Sequence, residues 1–156
     1  MIPRIYIDTS IVGGFFDKEF EIPTKALFKR LENKEIIFVV SDVLEGELKK
    51  APQHIKELLN NYDNDCFEKV KSTNETDLLA QKYIDEKVVG ASSFEDCQHI
   101  AIATINNVNV LASWNFKHIV NLVRIRGYNG VNMKMGYKIL EIRTPKELIN
   151  YGNEWF

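Results

Sequence analysis

Compact apolar runs alternate with amphipathic stretches along this chain. Ile5-Tyr6-Ile7 ends in Asp8-Thr9-Ser10, and Ile36-Ile37-Phe38-Val39-Val40 ends in Ser41-Asp42. Each run reads as a buried strand followed by helix-start residues. Between them, Thr24 to Glu32 sets Ala26, Leu27, Arg30 and Leu31 at helical spacing, with Pro23 just ahead of the helix start, which makes a strand-helix-strand unit. Val43 to Leu48 and Ile55 to Leu59 are predicted to be helical with Pro52 marking a boundary, and Phe67 to Val70 to be a short strand. Thr76 to Val88 places Leu79, Ala80, Tyr83 and Ile84 on one helical face, while from Ser93 to Ile105 the apolar residues wrap nearly all the way round, the mark of a central helix. The pattern then predicts a strand over Val108 to Ala112, a helix over His118 to Val123, and a glycine- and asparagine-rich loop over Gly127 to Gly136. A last strand follows over Lys138 to Ile142, and a short helix opens at Pro145.

Alternating strands and helices predict an α/β fold with a mostly parallel sheet covered by helices on both faces, because parallel neighbours need crossover connections. Ligands in such sheets sit beyond the carboxyl ends of the strands. A length of 156 residues with no repeat or linker fits one domain over 1–156, and 45% hydrophobic with 27% charged residues excludes disorder over its bulk. Without a secretory leader or an apolar run near the roughly 20 residues of a membrane span, the expected location is the cytosol, with no membrane contact. Cys66 and Cys97 lack pairing or metal-ligand spacing and read as buried thiols. His54, His99 and His118 are too dispersed for zinc, and His99 reads as a hydrogen-bonded structural residue of the central helix. Gly13-Gly14 is an isolated pair suited to a tight turn, so no phosphate-cradling loop exists and no nucleotide cofactor is implied.

Four polar positions converge on the predicted rim. Asp8 directly follows the first strand. Glu47 lies four residues beyond Val43 and beside Leu48 on the inward stripe, whereas Glu45 turns away and stands three residues after Asp42, where a capping box would use it. Asp96 shares a stripe with Ile100 and Ala103, and Asn115 follows the strand ending at Ala112. Each has a structural alternative: a turn or N-cap for Asp8, a surface pair with Lys49 or Lys50 for Glu47, a capping box with Ser93 for Asp96, a loop or cap asparagine for Asn115. Together, three confined carboxylates repel unless a cation or proton neutralises them, and hard oxygen ligands select Mg²⁺ or Mn²⁺.

In this order, Tyr6-Ile7-Asp8-Thr9-Ser10, Ser41 through Glu47-Leu48, Asp96-Cys97-Gln98-His99-Ile100-Ala101-Ile102-Ala103 and Leu111-Ala112-Ser113-Trp114-Asn115-Phe116 resemble the PIN domains, especially the VapC toxins. The resemblance implies a PIN-like three-layer sandwich and divalent-metal binding by Asp8, Glu47 and Asp96. Asn115 stands at the family's fourth acidic position, where its amide oxygen can accept a water but brings no charge. Ser10 and Ser113 match neighbouring hydroxyl positions that orient a ligand water, and both also suit caps. The resemblance further implies RNA as substrate, a homodimer and an antitoxin that blocks the pocket.

Charge adds a second feature. Nineteen of 22 carboxylates lie at or before Asp96, and Cys97 to Leu140 contains none, only Lys117, Arg124, Arg126, Lys134 and Lys138. These either follow a phosphate backbone, with Lys117, Arg124 and Arg126 leading and Trp114 or Phe116 stacking on bases, or are scattered solvated cations. The predicted activity is metal-assisted hydrolysis of RNA phosphodiesters. Its rival is a PIN-like RNA- or protein-binding module that has lost catalysis, motivated by Asn115. A phosphoacceptor role for Asp8 lacks the Asp-x-Asp pair and downstream lysine it would need.

Overall fold

The computed structural model describes residues 1–152. Strand β1 (Arg4–Ile7) sends Ile5 and Ile7 to one core and Tyr6 to the other, and that alternation sets the architecture. Phe38 and Val40 of β2 (Ile37–Ser41) and Val110 and Ala112 of β4 (Val110–Ala112) join Ile5 and Ile7, while Val39 and Leu111 join Tyr6. With β3 (Phe67–Val70) and β5 (Ile142–Arg143), these strands form a sheet of five in the order β3-β2-β1-β4-β5, every neighbouring pair parallel.

Helices close both faces. The Ile5 and Ile7 core is covered by α1 (Thr9–Gly14), α2 (Glu21–Glu32), α3 (Asp42–Leu48) and Ile55 of the short α4 (Gln53–Lys56). The Tyr6 core is covered by α5 (Asn74–Asp85), α6 (Phe94–Ile105) and α7 (Leu122–Lys134). This is the expected three-layer sandwich, with a sheet that is wholly parallel. None of its helices is long and apolar enough to cross a membrane, among the described residues.

The structure differs from the sequence pattern most near the chain's end, where the helix predicted over His118 to Val123 is turn and bend as far as Asn121. The glycine- and asparagine-rich stretch predicted as a loop is mostly α7, which begins at Leu122 after Asn121 accepts a hydrogen bond from the Arg124 amide. Tertiary packing overrides propensity here: Tyr128, Val131 and Asn132 are buried, and a Cβ on Gly127 would lie 2.7 Å from Val88, so the glycine admits that neighbour. The predicted last strand shrinks to Ile142–Arg143, because Asn129 of α7 binds both the amide and the carbonyl of Leu140. Pro145 does open a short 3-10 helix, Pro145–Leu148. Pro23 lies within the first turn of α2 rather than ahead of it. Cys66 and Cys97 are free and buried.

Candidate functional site

The chain runs outward from β1 in one direction, to β2 and β3, and returns on the other side as β4 and β5, so the strand order reverses between β1 and β4. That reversal is where a parallel sheet opens a crevice at its carboxyl edge. Ile7 pairs with Ala112, which sets Asp8 beside Ser113.

Asp8 is only 4% exposed and does not cap α1, although it occupies the N-cap position. Its carboxylate accepts from Ser10 Oγ (2.5 Å, to Oδ1) and from Ser113 Oγ (2.5 Å, to Oδ2). The two serines thus orient Asp8 directly, and Ser10 and Ser113 also accept from the backbone amides of Trp114 and Asn115. Burial pushes the Asp8 carboxyl above its ordinary range, with the Glu47 charge adding to the rise, against the pull of His99 and the two serine hydrogen bonds.

Glu47 faces inward on α3, as its spacing predicts, while Glu45 is exposed and lies 3.8 Å from Lys69. The capping box expected from Asp42 and Glu45 does not form. Ser41 caps α3 instead, accepting from the Leu44 amide at 3.2 Å, and Asp42 turns to bind the amide and hydroxyl of Ser72. Glu47 pairs with neither Lys49 nor Lys50 but with His99 Nε2 at 2.5 Å. Burial opposes its ionisation, yet the hydrogen bond with His99 leads the opposing effects, and Glu47 is held below the usual carboxylate range.

Asp96 stands in the first turn of α6, where the Ser93 side chain makes no capping bond, so the capping-box alternative is not what is built. Its carboxyl is raised by burial, opposed by His118 and His99, and raised further by Asp8 and Glu47. Asn115 donates to Asp96 at 3.4 Å through Nδ2, and its Oδ1 accepts from the His118 amide at 3.0 Å. Asp8 at the end of β1, Glu47 on α3 and Asp96 on α6 therefore share one electrostatic neighbourhood, with Asn115 bonded to its edge.

The rim is open. A groove of about 640 Å³ lies elsewhere, lined by Leu48, Leu59, Tyr62 and Phe67 among others, and touches none of these carboxylates. Among the described residues, no three His, Cys, Asp or Glu side chains are clustered tightly enough to hold a metal ion by themselves. The donor chemistry nevertheless suits Mg²⁺ or Mn²⁺, since Mg²⁺ typically uses one or two carboxylates and keeps several waters. One buried polar atom at this rim points the same way: His118 Nδ1, on the residue that faces Asp96, makes no hydrogen bond among the described residues. A water of a hydrated cation would satisfy it.

The basic segment divides. Arg124 donates to the carbonyls of Val88 and Lys117, and Lys134 pairs with Glu86 at 3.0 Å. Lys117 and Arg126 are exposed and form no ion pair among the described residues. Trp114 is core rather than a stacking surface: its indole stacks on Phe20 with ring centres 4.3 Å apart and donates to Thr24 at 2.9 Å. Phe116, beside it, is 51% exposed. The site residues that sequence reading misses are Tyr6 and Ser41, which hydrogen-bond each other beneath the rim, and His118, whose amide donates to Asn115. It also assigns His99 a structural role without revealing that the ring touches Glu47. The available signal is spacing, since His99 lies three residues after Asp96 on α6.

No family model matches the chain, and no curated protein does. Among solved structures, it is similar to a chain in the crystal structure of VapBC2 from Rickettsia felis bound to a DNA fragment from their promoter. The TM-score is 0.54 over 90% of this chain and 98% of that one, at 12% identity. At that identity the likeness establishes the fold, which is PIN-like.

Proposed function

We propose that this chain is a metal-dependent endoribonuclease of the VapC kind, acting in the cytosol on RNA phosphodiesters. One observation carries the reading: Asp8, Glu47 and Asp96 come from separate elements at the reversal point of the sheet and form no ion pair with a lysine or arginine among the described residues, while burial raises the carboxyls of Asp8 and Asp96. Asp8, Glu47 and Asp96 would hold Mg²⁺ or Mn²⁺, which when bound supplies an activated water and stabilises charge building on the phosphate. The chain's own residues do the rest. Ser10 and Ser113 hold Asp8 in one orientation, Asn115 offers an amide proton at the edge of Asp96, and the partly exposed Glu47 and Asp96 face a substrate from outside. The fold's likeness to a VapBC2 complex with DNA supports an antitoxin partner, and a homodimer is part of the same proposal.

The deciding experiment is cleavage of a mixed set of labelled RNAs with Mg²⁺ or Mn²⁺, beside EDTA and Asp96→Asn. Cutting that requires both the metal and Asp96 is expected; cutting that persists in EDTA would refute the reading.

A second reading, a silent PIN-like module, is favoured by Asn115, whose amide oxygen is occupied by the His118 amide. Manganese titration separates the two. The nuclease reading expects the wild type to bind Mn²⁺ and Asn115→Asp to tighten it by about tenfold, or ~1.4 kcal/mol; binding confined to the variant favours the silent module.

RNA contact is expected at Lys117 and Arg126, with the exposed Phe116 next to Lys117 in the chain. Alanine at either cation should lower the slope of log affinity against log salt by about 0.7 for single-stranded RNA. Arg124→Ala should instead lower the melting temperature, because its guanidinium serves two backbone carbonyls. A salt slope unchanged in both Lys117→Ala and Arg126→Ala would place the RNA elsewhere.

A further inference from the structure

A polar chain runs beneath the rim through an otherwise apolar core. The Tyr6 hydroxyl lies 2.7 Å from Ser41 Oγ and 2.6 Å from His99 Nδ1, and His99 Nε2 lies 2.5 Å from Glu47 Oε1. Tyr6 and Ser41 are fully buried and His99 is 2% exposed. Apolar groups of the same shape would serve stability about as well at such positions, so packing alone does not call for these groups.

The direction of each bond follows from what each partner can do. The Leu44 amide can only donate, so Ser41 Oγ accepts there and its own proton is free for Tyr6. An ionised Glu47 can only accept, so the proton between it and the ring sits on His99 Nε2. In a neutral imidazole the other nitrogen is then an acceptor, and Tyr6 donates to Nδ1. With a neutral ring, every proton in the chain, Leu44 to Ser41 to Tyr6 to His99 to Glu47, points toward the rim. The same serine that starts the chain caps α3, the helix that carries Glu47, so backbone and side chain of Glu47 are fixed from one origin.

We propose that His99 is a positioning residue: Ser41 and Tyr6 hold its ring in the Nε2–H tautomer, and the ring fixes one oxygen of Glu47 and hence the orientation of the carboxylate toward a bound cation. The role of Glu47 as a ligand rests on the nuclease reading; the tautomer does not. Outer hydrogen bonds of this kind commonly change metal affinity by about 10- to 100-fold when removed.

The test has two arms. The first is ¹⁵N NMR of the histidine rings in the metal-free protein at neutral pH, with the His99 signals assigned from His99→Gln. A protonated Nε2 and a bare, hydrogen-bonded Nδ1 are expected, with the Nδ1 signal shifting in Tyr6→Phe as its donor is lost. A protonated Nδ1 in the wild type, or signals indifferent to Tyr6→Phe, overturns the proposal. The second arm is Mn²⁺ calorimetry on Tyr6→Phe, His99→Gln and His99→Leu. Tyr6→Phe and His99→Leu should weaken binding about tenfold or more, with partial rescue by glutamine, whose amide can still donate to Glu47. Affinity within about twofold of wild type in Tyr6→Phe, which removes a single oxygen and carries the test if His99→Leu does not fold, overturns the positioning role. A wild type that binds no Mn²⁺ defeats the nuclease reading and with it the metal-positioning role, while the tautomer is decided by the first arm.

Discussion

Replacing Asp8 by asparagine is expected to reduce metal-dependent cleavage by at least about 100-fold, more than loss of an outer hydrogen bond does, while making the metal-free protein more stable at neutral pH. The two effects have one cause. Asp8 sits almost wholly out of water beside Glu47 and Asp96, so its folded-state carboxyl is raised above its unfolded value. A carboxyl raised by folding contributes stability that is present below the unfolded value and is lost as pH rises through the folded one. At neutral pH the fold therefore carries the cost of a buried charge. Asparagine keeps an acceptor for one serine hydroxyl and removes that cost, along with the negative charge a cation needs. Thermal melts in EDTA should show Asp8→Asn above wild type at neutral pH, with the difference shrinking as acid protonates the wild-type residue. For a chain of this size each kcal/mol moves the midpoint by about 2–4 °C. Asp8 and Asp96 share the sign, so cleavage should begin to fall on acidification above the ordinary carboxyl range of about 4. An Asp8→Asn protein that cuts RNA normally would remove Asp8 from the site; one that melts lower than wild type in EDTA would mean that the carboxylate serves the fold.

Asp8, Glu47 and Asp96 are legible in the sequence because strand ends and helix periodicity are local properties. Asp8 has only to follow an apolar run, and Glu47 is separable from Glu45 by the stripe that Val43 and Leu44 define. The misreadings concern partners distant in sequence. His99 touches Glu47 across 52 positions and Tyr6 across 93, so its helix is predictable but its contacts are not. Arg124 resembles any cation of an acid-free segment, yet it is spent on the Val88 carbonyl, 36 positions away. Asp42 has the makings of a cap for α3, and local rules cannot foresee that Ser72 takes both of its oxygens. In α7 the composition argues for a loop, and only burial of Tyr128, Val131 and Asn132 against neighbouring elements explains a helix there.

The glycine pair at 13 and 14 shows the same limit. The sequence suggests a turn, but both residues lie in α1, and neither has a positive φ. Gly13 faces open space, with nothing within 4 Å of where a Cβ would stand, whereas a Cβ on Gly14 would meet Trp114 at 2.7 and 2.8 Å and Thr24 Oγ1 at 3.1 Å. Trp114 cannot retreat without loss: its indole is stacked on Phe20, its Nε1 is bonded to Thr24, and its backbone amide donates to Ser10, which orients Asp8. Gly14→Ala should therefore cost about 1–3 kcal/mol as an overpacked substitution. It should also depress cleavage, since Ser113 and Asn115 flank the displaced tryptophan and Ser10 would lose its amide donor. Gly13→Ala, with a free helical position, should instead stabilise the protein by up to about 1 kcal/mol and leave cleavage unchanged. Melting curves and cleavage rates of the two variants side by side check this. If both behave alike, the close approach at Gly14 does not govern the site; if Gly14→Ala melts lower but cuts as well as wild type, the Trp114 packing is confined to the core and does not reach Asp8.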